Sequence, residues 1–275
     1  MGHHNIRFVG DPYSNHGVWS PPTSRANFCE EDYNITFYLA EFINALTNVT
    51  YVYLALRAMY GPSHRRRDGG RRRLLRPSWD FMSASLLVLG LGSFLFHATL
   101  RQTLEFVDEF SMLGLTWSML HASLTARQPR ARARAISVLL AAAYLSFAVF
   151  YLGAPQIIYQ VYAFTSSLAL LLLRTFYVLH WADAGFPEDK RRDWVRRTWK
   201  AVATSVLGYV LWIIDFEHCA QLRAWRRSLG LPWAFLLELH GWWHILTAIG
   251  AGQSMQVARE ARAEVEELQE KAKAQ

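Results

Sequence analysis

Long apolar stretches alternate with short charged blocks along the 275 residues of this chain. A helix needs about 20 consecutive apolar residues to cross the hydrocarbon core of a bilayer. Seven windows of roughly this length lie near residues 36–60, 79–100, 106–126, 134–152, 155–181, 199–216 and 233–254. The pattern therefore predicts an all-α membrane protein, a seven-transmembrane helix bundle. It divides the chain into an N-terminal segment at 1–35, the bundle at 36–254 and a C-terminal tail at 255–275.

The positive charges indicate how such a bundle would be oriented. Most lysines and arginines of the connections follow the first, third and fifth windows, at 65–76, 127–134 and 190–200. Cytosolic connections carry this excess in multipass membrane proteins. The N-terminal segment is therefore expected on the lumenal or extracellular side of the membrane, and the C-terminal tail in the cytosol.

The overall charge changes this picture little. The formal net charge is +7 and the pI is about 9.6. Because the basic residues border apolar windows, orientation in the membrane explains them, and a nucleic acid is not expected as a partner. The expected partner is the lipid bilayer, and nothing in the sequence indicates an obligate protein partner.

Two histidines lie inside the last apolar window, in the sequence HGWWH at 240–244. The spacing i, i+4 places His240 and His244 on one face of a helix. Ionisable groups at bilayer depth are costly and usually functional, so the pair is a candidate half of a zinc site. The alternative is a structural role in packing or in hydrogen bonding between helices.

A zinc site needs a third ligand, and His97 is the best candidate. In the predicted orientation, His97 and Ser93 lie near the lumenal end of the second window, at the depth of the two histidines of the seventh. Asp108 begins the third window after a short lumenal turn and can reach the same layer. These groups are expected to converge, although a serine such as Ser93 can equally be a hydroxyl at a helix interface.

Acidic residues cluster at the lumenal mouth of the predicted bundle, in NFCEED at 27–32 and at Glu41. Carboxylates this close repel one another unless a cation lies among them, and calcium binds carboxylate, amide and carbonyl oxygens. The twelve-residue EF-hand pattern is absent from the sequence. A solvated acidic cap is therefore an equal alternative to a calcium site.

The chain has two cysteines, Cys29 and Cys219, and both are predicted on the lumenal side. Because that space is oxidising, one disulfide could join the N-terminal segment to the loop after the sixth window. Two buried free thiols are the alternative.

Several short segments resemble those of one family, the alkaline ceramidases. They occur in the family's order along nearly the whole chain, as GVWSP at 17–21, NFCEEDY at 27–33, YLAEF at 38–42, GSFLFHATL at 92–100, DE at 108–109 and HGWWH at 240–244. The resemblance implies a seven-transmembrane intramembrane amidase of the endoplasmic reticulum or Golgi membrane. Such an enzyme cleaves ceramide, or its dihydro or phyto forms, to a sphingoid base and a fatty acid in sphingolipid metabolism.

The resemblance also implies roles for individual residues. It assigns zinc to His97, His240 and His244, catalysis to Ser93 and Asp108, and a disulfide to Cys29 and Cys219. It assigns calcium to Asn27, the Phe28 carbonyl, Glu30, Asp32 and Glu41. The calcium set departs from the family, which often has Asp at its first position and Asn at its fourth, whereas this chain has Asn27 and Asp32. The summed charge is the same.

A mechanism follows from these assignments as a hypothesis. The HGWWH sequence lacks the glutamate that serves soluble zinc proteases as general base, and Asp108 is the expected substitute. Ser93 is expected to donate a hydrogen bond to the developing oxyanion. The rival function is a seven-transmembrane zinc-containing receptor of the adiponectin-receptor-like type. A metal or proton transporter fits less well, because it needs polar groups along a whole path through the bilayer.

Overall fold

A computed structural model describes residues 11–60, 79–126, 128–181 and 185–274. Every regular element in these ranges is helical. The α-helices are α1 (Phe42–Thr47), α2 (Val49–Tyr60), α3 (Phe81–Thr99), α4 (Gln102–Thr125), α5 (Arg130–Gly153), α6 (Ile157–His180), α7 (Glu188–Glu217), α8 (Cys219–Leu229) and α9 (Leu239–Ala274), with a 3-10 helix at Trp233–Leu237.

The all-helical prediction is confirmed, and helices overlap all seven apolar windows. Four of the described helices, α3, α5, α6 and α7, are long and apolar enough to cross a membrane. The first window fails this test because α1 and α2 divide it at Asn48, and α4 and α9 carry acidic residues or histidines that lower their hydropathy. The count of seven spans and the orientation of the termini stay predictions. The basic residues at 65–76 and Arg127 lie outside the described residues.

The chain forms two compact units, one from Met1–Ser111 and Ala203–Gly250 and the other from Met112–Val202 and Ala251–Gln275. In the first unit, α2 and α3 approach each other closely at Gly90. A Cβ atom on Gly90 would lie 2.8 Å from the Cβ atom of Tyr51, so a larger residue would force the two helices apart. This contact sets the position of α3, which carries Ser93 and His97.

The N-terminal segment is bound to the end of α3. The backbone amides of Ala40 and Glu41 donate to the carbonyl oxygens of Ala98 and His97, both at 2.9 Å. The Glu105 carboxylate accepts from the amides at positions 25 and 26, at 2.8 and 3.0 Å. The bonds from Ala40 and Glu41 satisfy carbonyl groups that the end of α3 leaves unpaired, and they hold Glu41 beside His97.

The second unit is held together by apolar contacts and ion pairs. Leu179, Trp194 and Val257 form a buried cluster. The Trp194 indole and the Arg197 guanidinium both donate to the Glu260 carboxylate. Helix α9 continues through the predicted tail as far as Ala274.

Candidate metal centre

Three histidines meet in the first unit. His97 lies in the last turn of α3, and His240 and His244 lie in the first turns of α9. Their exposed fractions are 1%, 4% and 4%. Each offers one nitrogen, and the three nitrogens lie within 4.8 Å of one another. A single ion at the centre of such a group can be bound by all three rings after small movements.

The second ring nitrogen of each histidine has a different environment. His97 Nδ1 lies 2.6 Å from Glu41 Oε2, and His244 Nδ1 lies 3.0 Å from Thr47 Oγ1. His240 Nδ1 is buried and has no hydrogen-bonding partner among the described residues. A carboxylate that accepts from Nδ1 leaves Nε2 of the same ring as the metal-binding nitrogen, which is the usual arrangement for zinc. The group therefore fits zinc.

An aromatic side chain from the N-terminal segment covers the histidines. The Phe28 ring centroid lies 4.0 Å from that of His240 and 5.1 Å from that of His97. Phe96 also packs against His97, with a centroid distance of 4.9 Å. The apolar cover lowers the local dielectric constant, which strengthens electrostatic interactions with a bound ion.

Ser93 and Asp108 contact each other one helical turn from His97. Ser93 is buried one turn before His97 on α3, and its side chain hydrogen-bonds the carboxylate of Asp108 on α4. Asp108 is also buried, and its Oδ1 atom has no hydrogen-bonding partner within the described ranges. The pair therefore offers a carboxylate oxygen with free capacity to accept a proton.

Three carboxylates of the acidic block, those of Glu30, Asp32 and Glu41, are buried, so they do not form a solvated cap. Both oxygens of Glu30 accept backbone amides of α1, from Ile43 at 2.7 Å and from Asn44 at 2.8 Å. Burial raises the pKa of Glu30 to about 8 even though these bonds lower it. Burial and the nearby charge of Glu41 also raise the pKa of Asp32 to about 8.

Some oxygens in this block have no partner. Both carboxylate oxygens of Asp32 and the Oδ1 atom of Asn27 are buried without a hydrogen bond to any described residue. Uncompensated buried oxygens are costly, and a hard cation is the ligand that would satisfy them. The donor set therefore fits calcium, with Asn27 and Asp32 as the groups that have unused capacity.

The two cysteines form a disulfide between the N-terminal segment and the start of α8. Two arginines of α8 bind the same stretch of backbone: Arg223 Nε and Arg226 Nη2 donate to the Cys29 carbonyl oxygen at 2.8 and 2.7 Å. Arg226 also pairs with the buried carboxylate of Glu238. The acidic block is therefore fixed from one side by a covalent bond and two buried guanidinium groups.

Some contacts of the site were missed by the sequence analysis. Asn44, Thr47 and Asn48 lie inside the first apolar window and contact the carboxylate or imidazole groups. Their spacing of three and four residues puts them on one helix face, a signal that could have identified them. The side chain of Asp215 on α7 accepts the backbone amide of Leu239 at 3.2 Å, at the start of α9.

Comparisons with known proteins show the family of the chain. A family model described as Ceramidase matches residues 20–275. Alkaline ceramidase 3 of Mus musculus is 26% identical over 237 residues, which cover 86% of this chain and 82% of that protein. Alkaline ceramidase YPC1 of Saccharomyces cerevisiae is 28% identical over 247 residues, covering 85% and 75%. An alkaline ceramidase of Arabidopsis thaliana is 23% identical over 243 residues, covering 85% and 82%. The chain therefore belongs to the ceramidase family.

Proposed function

We propose that this protein is a zinc-dependent intramembrane amidase. It hydrolyses ceramide, or its dihydro or phyto forms, to a sphingoid base and a free fatty acid in sphingolipid metabolism, in the endoplasmic reticulum or Golgi membrane. The observation that carries this function is the buried group of His97, His240 and His244 in a member of the ceramidase family. The matched relatives are named ceramidases, which favours this function over a zinc-containing receptor.

His97, His240 and His244 would hold the zinc ion. When bound, zinc supplies a Lewis acid for the amide carbonyl and lowers the pKa of water toward 7. Glu41 accepts the Nδ1 proton of His97 and so orients that ring toward the ion. Phe28 covers the histidine rings and keeps bulk water away from them.

Asp108 moves the proton during hydrolysis. Its Oδ1 atom accepts a proton from the attacking water, and the same proton passes to the amide nitrogen as the carbon–nitrogen bond breaks. Ser93 orients the Asp108 carboxylate through the hydrogen bond between their side chains. Once Asp108 is protonated, the Ser93 hydroxyl is free to donate to the oxyanion that develops on the carbonyl oxygen.

Calcium is proposed to bind the acidic block through Asn27, the Phe28 carbonyl, Glu30, Asp32 and Glu41. Glu41 belongs to this set and also pairs with His97, so a cation at the block would act on the orientation of a zinc ligand. The Phe28 amide also donates to Glu41 Oε1 at 3.3 Å, so Glu41 contacts the backbone of the acidic block as well as His97. Calcium is therefore proposed as a modulator of the zinc site.

Alanine variants of the three histidines test the zinc site. His97→Ala, His240→Ala and His244→Ala should each lose bound zinc and ceramide hydrolysis together, because two ligands hold zinc much more weakly than three. Zinc content of the purified protein and release of fatty acid from ceramide are the two measurements. His180→Ala is the matched control, since His180 is exposed at the end of α6. A histidine variant that turned over normally without zinc would refute the site.

Calcium removal tests the acidic block. With free zinc buffered throughout, depletion of calcium should lower the rate of hydrolysis and calcium addition should restore it. Asp32→Asn should shift the calcium concentration needed for full activity upward, because it removes a charge from two oxygens that have no protein partner. A rate that does not depend on calcium in the unsubstituted protein would remove calcium from the proposed function.

A further inference from the structure

The helix α1 ends at Thr47, whose hydroxyl contacts a proposed zinc ligand. Thr47 Oγ1 lies 3.0 Å from Nδ1 of His244. Hydrolysis as proposed above uses only the nitrogen of His244 that faces the ion. The partner of the other nitrogen decides which tautomer the ring adopts, and so which nitrogen can bind the metal.

The hydrogen bonds of Thr47 determine the direction of this contact. A hydroxyl has one proton to donate and two lone pairs with which to accept. Thr47 Oγ1 lies 2.8 Å from the Ile43 carbonyl oxygen and 3.1 Å from that of Asn44, and both oxygens can only accept. With the single proton of Thr47 on the Ile43 carbonyl oxygen, its nearest acceptor, the contact with His244 is an Nδ1–H group that donates to the Thr47 oxygen. Nε2 of His244 then carries the lone pair.

Asn48 offers a competing contact that is weaker. Its amide nitrogen lies 3.4 Å from His244 Nδ1 and 2.8 Å from the Asn44 carbonyl oxygen. A donor from Asn48 would favour an unprotonated Nδ1, which is the opposite tautomer. At 3.4 Å this contact exceeds the usual distance for a hydrogen bond of this kind, whereas the contact to Thr47 is within it. Between the two side chains, the geometry therefore favours Thr47 as the partner of His244. The Asn44 carbonyl oxygen also accepts from His244 and favours the same tautomer, with Nδ1 protonated.

A glycine permits this contact. A Cβ atom on Gly241 would lie 2.8 Å from Ile43 Cγ2 and 3.2 Å from Thr47 Cγ2. Any larger residue at position 241 would separate the start of α9 from the end of α1. The glycine of the HGWWH sequence, which has no role in the proposed chemistry, thus allows Thr47 to reach His244.

We infer that Thr47 is a positioning residue that selects Nε2 of His244 as the zinc-binding nitrogen, and that Gly241 makes this contact possible. Because it takes His244 as a zinc ligand, this role rests on the proposed function. Thr47 would do for His244 what Glu41 does for His97, with a neutral acceptor in place of a charged one.

Zinc affinity tests this role without reference to turnover. Purified Thr47→Val keeps the side-chain shape and loses the acceptor, so competition with a zinc chelator should show affinity about 10–100-fold weaker than that of the unsubstituted protein. Thr47→Ser keeps the hydroxyl, so its zinc affinity should lie within about 3-fold of that of the unsubstituted protein. This change is smaller than the loss expected for Thr47→Val. Thr50→Val makes the same chemical change three residues further on and should leave zinc affinity unchanged.

The outcomes separate this role from the zinc site itself. Zinc affinity unchanged in Thr47→Val, or equally weakened in Thr47→Val and Thr50→Val, would overturn the role of Thr47. Should Thr47→Val fail to fold, Thr47→Ser and Gly241→Ala decide: a Ser variant that folds but binds zinc weakly, or an Ala variant with unchanged affinity, would also overturn it. Zinc binding that survives His244→Ala unchanged would instead refute the proposed zinc site.

Discussion

Glu264 in one compact unit and Asp32 in the other are both buried acidic residues, yet their surroundings differ. Glu264 Oε2 lies 2.5 Å from the Lys190 ammonium group. Neither oxygen of Asp32 has a hydrogen-bonding partner in the described parts of the chain. The Glu264 carboxylate therefore has a partner within the protein, whereas the Asp32 carboxylate has none among the described residues.

The same difference extends to the neighbours of these two residues. Around Glu264, acidic side chains of α7 and α9 pair with lysine or arginine, as Glu260 does with Arg197. In the unit that contains Asp32, the buried atoms left without a described partner include Asn27 Oδ1 and His240 Nδ1. A buried polar atom without a partner costs about 1–3 kcal/mol. Such a cost is sustained where a ligand recovers it, so the unpaired oxygens of Asp32 and Asn27 favour the proposed metal-binding role of this region, whereas the carboxylates of Glu264 and Glu260 are already paired.

Among the charged side chains, the largest effect is expected at Asp108. Asp108→Asn removes the proton acceptor and keeps the side-chain size, so ceramide hydrolysis should fall by about 10²–10⁴-fold. The zinc content should not change, because the proposed zinc ligands are the three histidines and do not include Asp108. Asp193→Asn, the same substitution in an exposed ion pair of the other unit, should leave the rate unchanged. Loss of zinc together with activity in Asp108→Asn would assign that residue to the ion instead of to proton transfer.

A smaller effect, on stability, is expected at Arg226. Arg226→Met leaves the buried Glu238 carboxylate without its donor and removes one of the two donors to the Cys29 carbonyl oxygen, which should destabilise the protein by about 3–5 kcal/mol. Thermal unfolding in detergent, followed by intrinsic fluorescence, measures the change. The matched control is Arg227→Met, because Arg227 is mostly exposed and its ion pair with Glu31 is longer, at 3.5 Å. Equal unfolding temperatures for the two variants would show that the buried guanidinium group is not needed to hold the acidic block.

The smallest effect is expected at Glu260. Its side chain is 38% exposed where it pairs with Arg197, and partly exposed ion pairs contribute about 0–1 kcal/mol to stability. Glu260→Gln should therefore change the unfolding temperature little and leave hydrolysis unchanged. Strong loss of hydrolysis in a variant that still folds would contradict the division between functional and supporting charges.

The meeting of the three histidines could be predicted because it depends on short-range rules. The i, i+4 spacing puts His240 and His244 on one helix face, and charge counting puts His97 at the same depth. The contacts of Thr47 and Arg226 could not be predicted in this way, because each joins residues remote in sequence, 47 to 244 and 226 to 29. The local pattern can mark a polar helix face, but it does not specify which remote residue that face contacts.

Helix boundaries were predicted less well, for a related reason. The window at 36–60 predicts one span, whereas the structure divides it at Asn48, whose side chain donates to the Asn44 carbonyl oxygen. The window at 199–216 misses the first turns of α7, which begins at Glu188 with charged residues. Hydropathy averages detect apolar length and are insensitive to a single polar break or to a charged extension of the same helix.

The disulfide between Cys29 and Cys219 can form only at a late stage of biosynthesis. Cys219 follows Cys29 by 190 residues, so a ribosome must translate α1 to α7 before the second thiol exists. The acidic block therefore receives its covalent support late in biosynthesis. Since thiols oxidise and remain oxidised in the secretory lumen but not in the cytosol, the acidic block gains this support only where both cysteines face an oxidising compartment.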